Sequence, residues 1–218
     1  MAKKRTFKTI IERETKDGKL PKNIMESREW YRKKAKSVRS IKGKRPSKFL
    51  KIGRDNERLK RTIKGRLMMG RMYMFTYDPK AKDTLPYHDQ FPVIFAIESH
   101  NDGILGINLH YLPHLFRAAL MDRLYELRSD QELTEDTKLK MTYNILKRSA
   151  KYRYFRPCIK KYLNKQVTSR FMQIPPDEWE IALFLPLEKF KSNTGKLLSR
   201  QSVWMDSRKK IRKNRGMF

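Results

Sequence analysis

The chain reads as an α+β protein, with a small, strongly bent antiparallel sheet or partial barrel, packed helices, and basic N- and C-terminal arms. Three observations predict this. Three apolar runs of strand character lie within about 45 residues of one another. The spacing of apolar residues then changes to a helical period from residue 112 onward. Charge is concentrated at the two ends: residues 1–66 carry 25 Lys/Arg against 7 Asp/Glu, residues 67–185 carry 17 against 14, and residues 186–218 carry 10 against 2. The expected division is a basic arm over 1–66, extended or ordered by a partner, a compact body over 67–190, and a basic tail over 191–218.

In the arm, "SREWYRKKAKSVRSIKGKRPSKFLKIGRDNERLKRTIKGR" has few apolar residues and no sustained alternation. It predicts one short helix over 26–37, carrying Trp30 and Tyr31, in a segment otherwise too polar to fold alone. The body opens with "LMMGRMYMFTY" (67–77), followed by "QFPVIFAIES" (90–99) and "GILGINLHY" (103–111), read as three strands. "HNDG" (100–103) has the chemistry of a tight hairpin turn between the last two. "LPHLFRAALMDRLYELR" (112–128) predicts an amphipathic helix with Pro113 in its first turn and Leu112, Leu115, Phe116, Ala119, Leu120, Leu124 and Leu127 facing inward.

A second helix follows, with Thr134 as N-cap, Glu135 and Asp136 in a first turn that favours acids, and Leu139, Tyr143 and Leu146 inward. Pro157 ends that run, and "CIKKYLNKQV" (158–167) reads as a third, shorter helix. "SRFMQI" (169–174) reads as a strand, whereas "EWEIALFLP" fits a short helix and a buried strand equally well.

The formal net charge of +29 points to a polyanionic partner. Phosphate ligands are expected in the arm at Arg28, Arg32, Lys33, Lys34, Lys36, Arg39, Lys42, Lys44, Arg45 and Lys48, and in the tail at Arg208, Lys209, Lys210, Arg212 and Lys213. In the body they are expected at Lys147, Arg148, Lys151, Arg153, Arg156, Lys160 and Lys161, with Lys165 beyond them. Here the cations are interleaved with Tyr152, Tyr154, Phe155 and Tyr162. Such rings either stack on unpaired bases or an exposed terminal base pair, or belong to the core behind a solvated basic face. No base-reading module is visible, so binding through these groups would be strong at low salt and without sequence preference.

The acids of "FTYDPKAKDTLPYHDQFPVIF" (75–95) raise a competing reading. Asp78, Asp83, Asp89 and Glu98, with His88 and His110, would form a magnesium-dependent nuclease site if they converged. Turn chemistry at Asp78-Pro79 and stiffening by Pro86 and Pro92 explain the same loop without catalysis. Phosphate-loop, nucleophile-elbow and zincin motifs are absent. No cofactor or metal is expected. The single Cys158 excludes an internal disulfide and a cysteine-cluster zinc site. No apolar stretch approaches the ~18 residues of a membrane span, so a soluble protein with no membrane partner is expected.

Five blocks, "SREWYRKKA" (27–35), "MYMFTYDPKAKDTLPYHDQFPVIF" (72–95), "GINLHYLP" (106–113), "SRFMQIPPDEWEIALFLPLEKF" (169–190) and "VWMDSRKKI" (203–211), resemble in order a virion protein of T-even-like tailed phages, of the DNA end protector family. Asp78, Pro79, Leu85, Pro86, Tyr87, Asp89, Phe91 and Pro92 match that pattern, and His88 departs from an aromatic there. The resemblance implies a non-catalytic protein of the virion and, after injection, of the host cytoplasm. Its implied partners are double-stranded DNA ends and phage structural proteins of head, neck or tail. The alternative is an assembly subunit of neck, tail or baseplate whose charge binds acidic partner subunits.

Overall fold

A computed structural model describes residues 6–16, 22–40, 69–183, 190–192, 194, 203–206 and 209. Its centre is one five-stranded antiparallel sheet built from β1 (Met72–Met74), β3 (Val93–His100), β4 (Gly103–Asn108), β5 (Ile159–Leu163) and β6 (Met172–Ile174), in the order β5-β4-β3-β1-β6. The sheet is open and lies with helices around it, so the α+β class holds. A separate two-stranded ribbon pairs β2 (Tyr87–Asp89) with β7 (Phe190–Ser192). No helix among the described residues is long and apolar enough to cross a membrane.

Alternation sorts the strand side chains onto two faces. Met72, Met74, Val93, Phe95, Ile97 and Ile107 join the main core, while Tyr73, Phe75, Ile94, Ala96 and Ile104 join a second cluster with Tyr162, Val167 and Phe171. Register slips between Ala96 and Glu98, where Ile97 is the extra residue. Such a bulge bends a strand locally and raises its twist. The β3–β4 turn has only Asn101 and Asp102 between paired His100 and Gly103, and neither takes a positive φ. Gly103 is needed for a different reason: a Cβ there would sit 2.3 Å from the Tyr162 carbonyl oxygen of β5.

The helices pack on the first face. α3 (His114–Ser129) begins after Pro113 and buries Arg117, Ala118, Leu120, Met121, Leu124 and Leu127. The expected stripe is therefore turned by about one position: Leu115 is 57 % exposed and Ala119 faces solvent. Arg117 is fully buried, its guanidinium donating to the carbonyls of Leu183 (2.8 Å) and Leu112 (3.0 Å). Satisfying those acceptors offsets the cost of burying a cation, which an apolar pattern cannot anticipate. α4 (Glu135–Ser149) starts as expected, with Thr134 Oγ1 accepting from Thr137 N. It turns Lys138, Thr142 and Leu146 inward, with Leu139 and Tyr143 at the margin.

Residues 158–167 do not form the expected third helix. Pro157 sits in a single 3-10 turn, Ile159–Leu163 pairs with β4 as an edge strand, and another such turn follows over Asn164–Gln166. Exposed Lys161 suits an edge, which charged side chains protect from further pairing. The ambiguous "EWEIALFLP" begins as a short helix, α5 (Trp179–Leu183), and residues 184–189 lie outside the described set.

Two helices are described within the expected N-terminal arm. α1 (Phe7–Lys16) and α2 (Lys22–Ser40, longer than the expected 26–37) are helical, and Phe7, Ile10, Ile11, Tyr31 and Ala35 enter the main core. The i, i+3, i+4 spacing of Phe7, Ile10 and Ile11 makes one narrow apolar stripe in a basic segment. Asp122 of α3 accepts from the amides of Phe7 (2.6 Å) and Lys8 (3.1 Å), placing a carboxylate at the positive end of α1. α2 is tied to the 3-10 turn before α5: Glu178 accepts from Trp30 Nε1 (2.9 Å) and Lys34 Nζ (2.8 Å). Residues 41–66 of the expected arm lie outside the described set.

Candidate nucleic-acid interface

The acids of the 75–95 loop do not converge. Asp78 and Asp83 are exposed, and Asp78 pairs with Lys82 at 3.2 Å one helical turn away in sequence. Glu98 lies beyond the bulge on β3, and His88 is half-buried in the β2–β7 ribbon. Asp89 and His110 do meet, with Oδ2 2.6 Å from Nδ1, but both are buried. Among the described residues, no three His, Cys, Asp or Glu side chains are grouped as metal ligands.

Asp89 is a structural hub. Its Oδ2 also accepts from Asn108 Nδ2 (2.9 Å), its Oδ1 accepts from the Phe91 amide (3.0 Å), and Asn108 continues to Tyr162 OH (2.8 Å). One carboxylate thus joins β2, the start of β3, the end of β4 and the edge strand β5. Burial pushes the phenols of Tyr111 and Tyr162 well above the ordinary tyrosine value, and the Asp89 charge adds to the shift at both. Tyr162 therefore belongs to the core and is removed from the set of rings available to a ligand.

The loop's other contact is with the C-terminal segment. Phe190 lies edge-on to Tyr111 (4.8 Å) and Tyr87 (5.8 Å). Tyr87 OH donates to Asp206 (2.7 Å), and Trp204 Nε1 donates to the His110 carbonyl (3.1 Å). Residues 190–192 and 203–206, expected in or beside a basic tail, thus pack on the body. Lys209 is exposed, whereas Arg208, Lys210, Arg212 and Lys213 lie outside the described set.

The body's basic segment begins in the last turn of α4 and continues into β5. Lys147, Arg148, Lys151, Arg153 and Arg156 are all exposed. Lys147 and Arg148 have a structural role as well, since cations offset the negative end of a helix. Lys160 is half-buried, its ammonium 4.2 Å from the centre of the Tyr111 ring, and Lys161 pairs with Asp102 at 2.8 Å. That pairing holds the Asp102 carboxyl below the usual carboxylate range. Both lysines have local partners, as do Lys147, whose ammonium lies 5.5 Å from the Tyr143 ring centre, and Arg153. In α2, Arg32, Lys33 and Lys36 are exposed, Arg28 is half-buried, Lys34 is held by Glu178, and Arg39 falls in the last turn. Lys42, Lys44, Arg45 and Lys48 lie outside the described set.

Phe116 belongs to the same surface. Its ring stacks on Tyr154 at 5.1 Å with planes 19° apart, and Arg153 lies 4.6 Å from the Tyr154 ring centre while donating to its hydroxyl (2.7 Å). Phe116, expected in the inward stripe, is partly buried and packs against the main core while its ring also faces Tyr154. From Thr137 to Pro176 the chain contains no Asp or Glu, so the surface around these rings has no local acid in sequence.

Among the described residues the α+β body thus has no converging carboxylates and carries one surface of exposed cations and aromatic rings. The chain belongs to the family of the phage T4 terminal DNA protecting protein, whose pattern it matches over residues 3–207. That family consists of phage proteins that protect DNA termini. No curated protein and no solved structure matches the chain.

Proposed function

We propose that this protein binds packaged double-stranded DNA at its ends without sequence specificity and shields the termini from host exonuclease, doing no chemistry itself. On this reading it travels in the virion and acts in the host cytoplasm after injection. Membership of the terminal DNA protecting family carries the proposal, and the exposed Lys147, Arg148, Lys151, Arg153 and Arg156 supply a physical means. Cations of this kind neutralise phosphates and release counterions, giving affinity that is independent of sequence and falls steeply with salt. The buried state of Asp89 and His110 supports a protective role over a cleaving one.

The test is to preload linear duplex with the protein and challenge it with a processive exonuclease across a salt series. The duplex is expected to remain full length at low salt and to become sensitive as salt rises. Absence of DNA binding at ~50 mM salt, where phosphate contacts are strongest, would refute the proposal. Undiminished particle assembly but no DNA binding would favour the role of an assembly subunit of neck, tail or baseplate.

A further inference from the structure

Tyr152 is the most exposed large apolar side chain among the described residues, at 66 %. Its ring has no ring contact or side-chain hydrogen bond among them. The backbone beneath it is nonetheless well held. Tyr152 N donates to the Ser149 carbonyl (3.0 Å), and the Tyr152 carbonyl accepts from Phe155 N (2.9 Å) and Arg156 N (3.2 Å). Phe155 packs against the main core, and Tyr154 is clamped between Phe116 and Arg153 contacts. The turn 149–156 is therefore a fixed mount that presents one ring to solvent.

We infer that Tyr152 stacks on the exposed face of the terminal base pair of a DNA duplex, with Lys151, Arg153 and neighbouring cations holding the flanking phosphates. This inference rests on the proposed binding of DNA ends and specifies how an end is distinguished from an internal site. An internal base pair has both faces covered by its neighbours, whereas the last pair offers one bare aromatic face. A ring displayed among cations, in a 40-residue stretch without acids, is complementary to that arrangement, since the cations meet the flanking phosphates while the ring meets the bare base face. Preorganisation matters here, because a ring already fixed in place loses little freedom on stacking.

The experiment compares a blunt linear duplex with a duplex of the same sequence closed at both ends by hairpin loops, each carrying 2-aminopurine at its last or its central pair. The wild-type chain is expected to prefer the open duplex by about tenfold, in line with the energy of one base–aromatic stack, and to change fluorescence only of the terminal probe. Tyr152→Ala is expected to abolish the preference and the fluorescence change while leaving affinity for the closed duplex within about twofold. Tyr152→Phe is expected to retain both, since the ring and not the hydroxyl makes the contact. Equal wild-type binding to open and closed duplexes, unaffected by Tyr152→Ala, would overturn this inference and leave the proposed DNA binding intact. Binding to neither duplex would remove both. Tyr152→Ala with normal end preference but lost incorporation into particles would place the ring against a protein and also overturn it.

Discussion

Asp89 shows how differently one residue reads in sequence and in space. It sits beside His88 in a loop rich in acids, which suggests metal chemistry, yet it accepts from Phe91 and Asn108 and meets His110 in the interior. Replacing it with alanine leaves buried donors with no acceptor, at about 1–3 kcal/mol for each such group. Asp89→Ala should therefore lower unfolding free energy by roughly 3 kcal/mol, measurable by urea denaturation, with no effect on DNA retention by the fraction still folded. Loss of a metal-dependent cleavage activity in that variant would instead support the nuclease reading.

Cys158 carries a second prediction at this scale. Its thiol is buried and pushed up to about 12 by the loss of solvation. The folded state therefore keeps a proton that the unfolded state releases above the ordinary thiol value near 9. Stability should fall as pH rises through that window, and the raised phenols of Tyr111 and Tyr162 act in the same direction. At pH 8 a thiol reagent should label Cys158 only after unfolding, and thermal melts should show a decline above about pH 9 that is reduced in Cys158→Ala.

At the scale of elements, β1, β3, β4, β6, α3 and α4 were legible because long apolar runs and caps agree with the structure they form. β5 was not. "CIKKYL" contains two lysines and follows a proline, and its strand state comes from pairing with β4, a contact no local window contains. α1 was hidden because its apolar stripe is only one turn or so wide within a basic segment, and Asp122, which caps it, lies far away in sequence. Arg117, a cation, defeated the stripe of α3 from inside. The candidate interface was legible as charge, but the local contacts of Arg153, Lys160 and Lys161 were not.

Two predictions belong to elements. Gly103→Ala forces a Cβ against the β5 backbone, where no flexible side chain can give way. It should destabilise by about 1–3 kcal/mol, the usual cost of overpacking, and increase hydrogen exchange in β5 selectively. Asp122→Ala removes the carboxylate at the start of α1 and should cost about 1 kcal/mol, with exchange of the Phe7 and Lys8 amides rising first.

For the whole molecule, the net charge of +29 governs how the protein meets a polyanion. Each cation that neutralises a phosphate contributes about 0.9 to the slope of log affinity against log salt. Changing Arg148, Lys151 and Arg156 together to Gln should reduce that slope by about 2–3 if all three make such contacts, and weaken binding equally across DNA sequences. Lys161→Gln should reduce the slope less than any one of these changes, since Lys161 already faces the Asp102 carboxylate at 2.8 Å.

The ties that hold α1, α2 and residues 203–206 on the body span long stretches of sequence. Phe7 waits for Asp122, Trp30 and Lys34 for Glu178, and Tyr87 for Asp206. During synthesis the first two helices emerge long before the residues that hold them. A nascent chain stalled before residue 178 would leave Trp30 and Lys34 of α2 without their acceptor. Folding should thus complete late, after most of the chain has left the ribosome, and the early basic segment meets the cell before its native contacts exist.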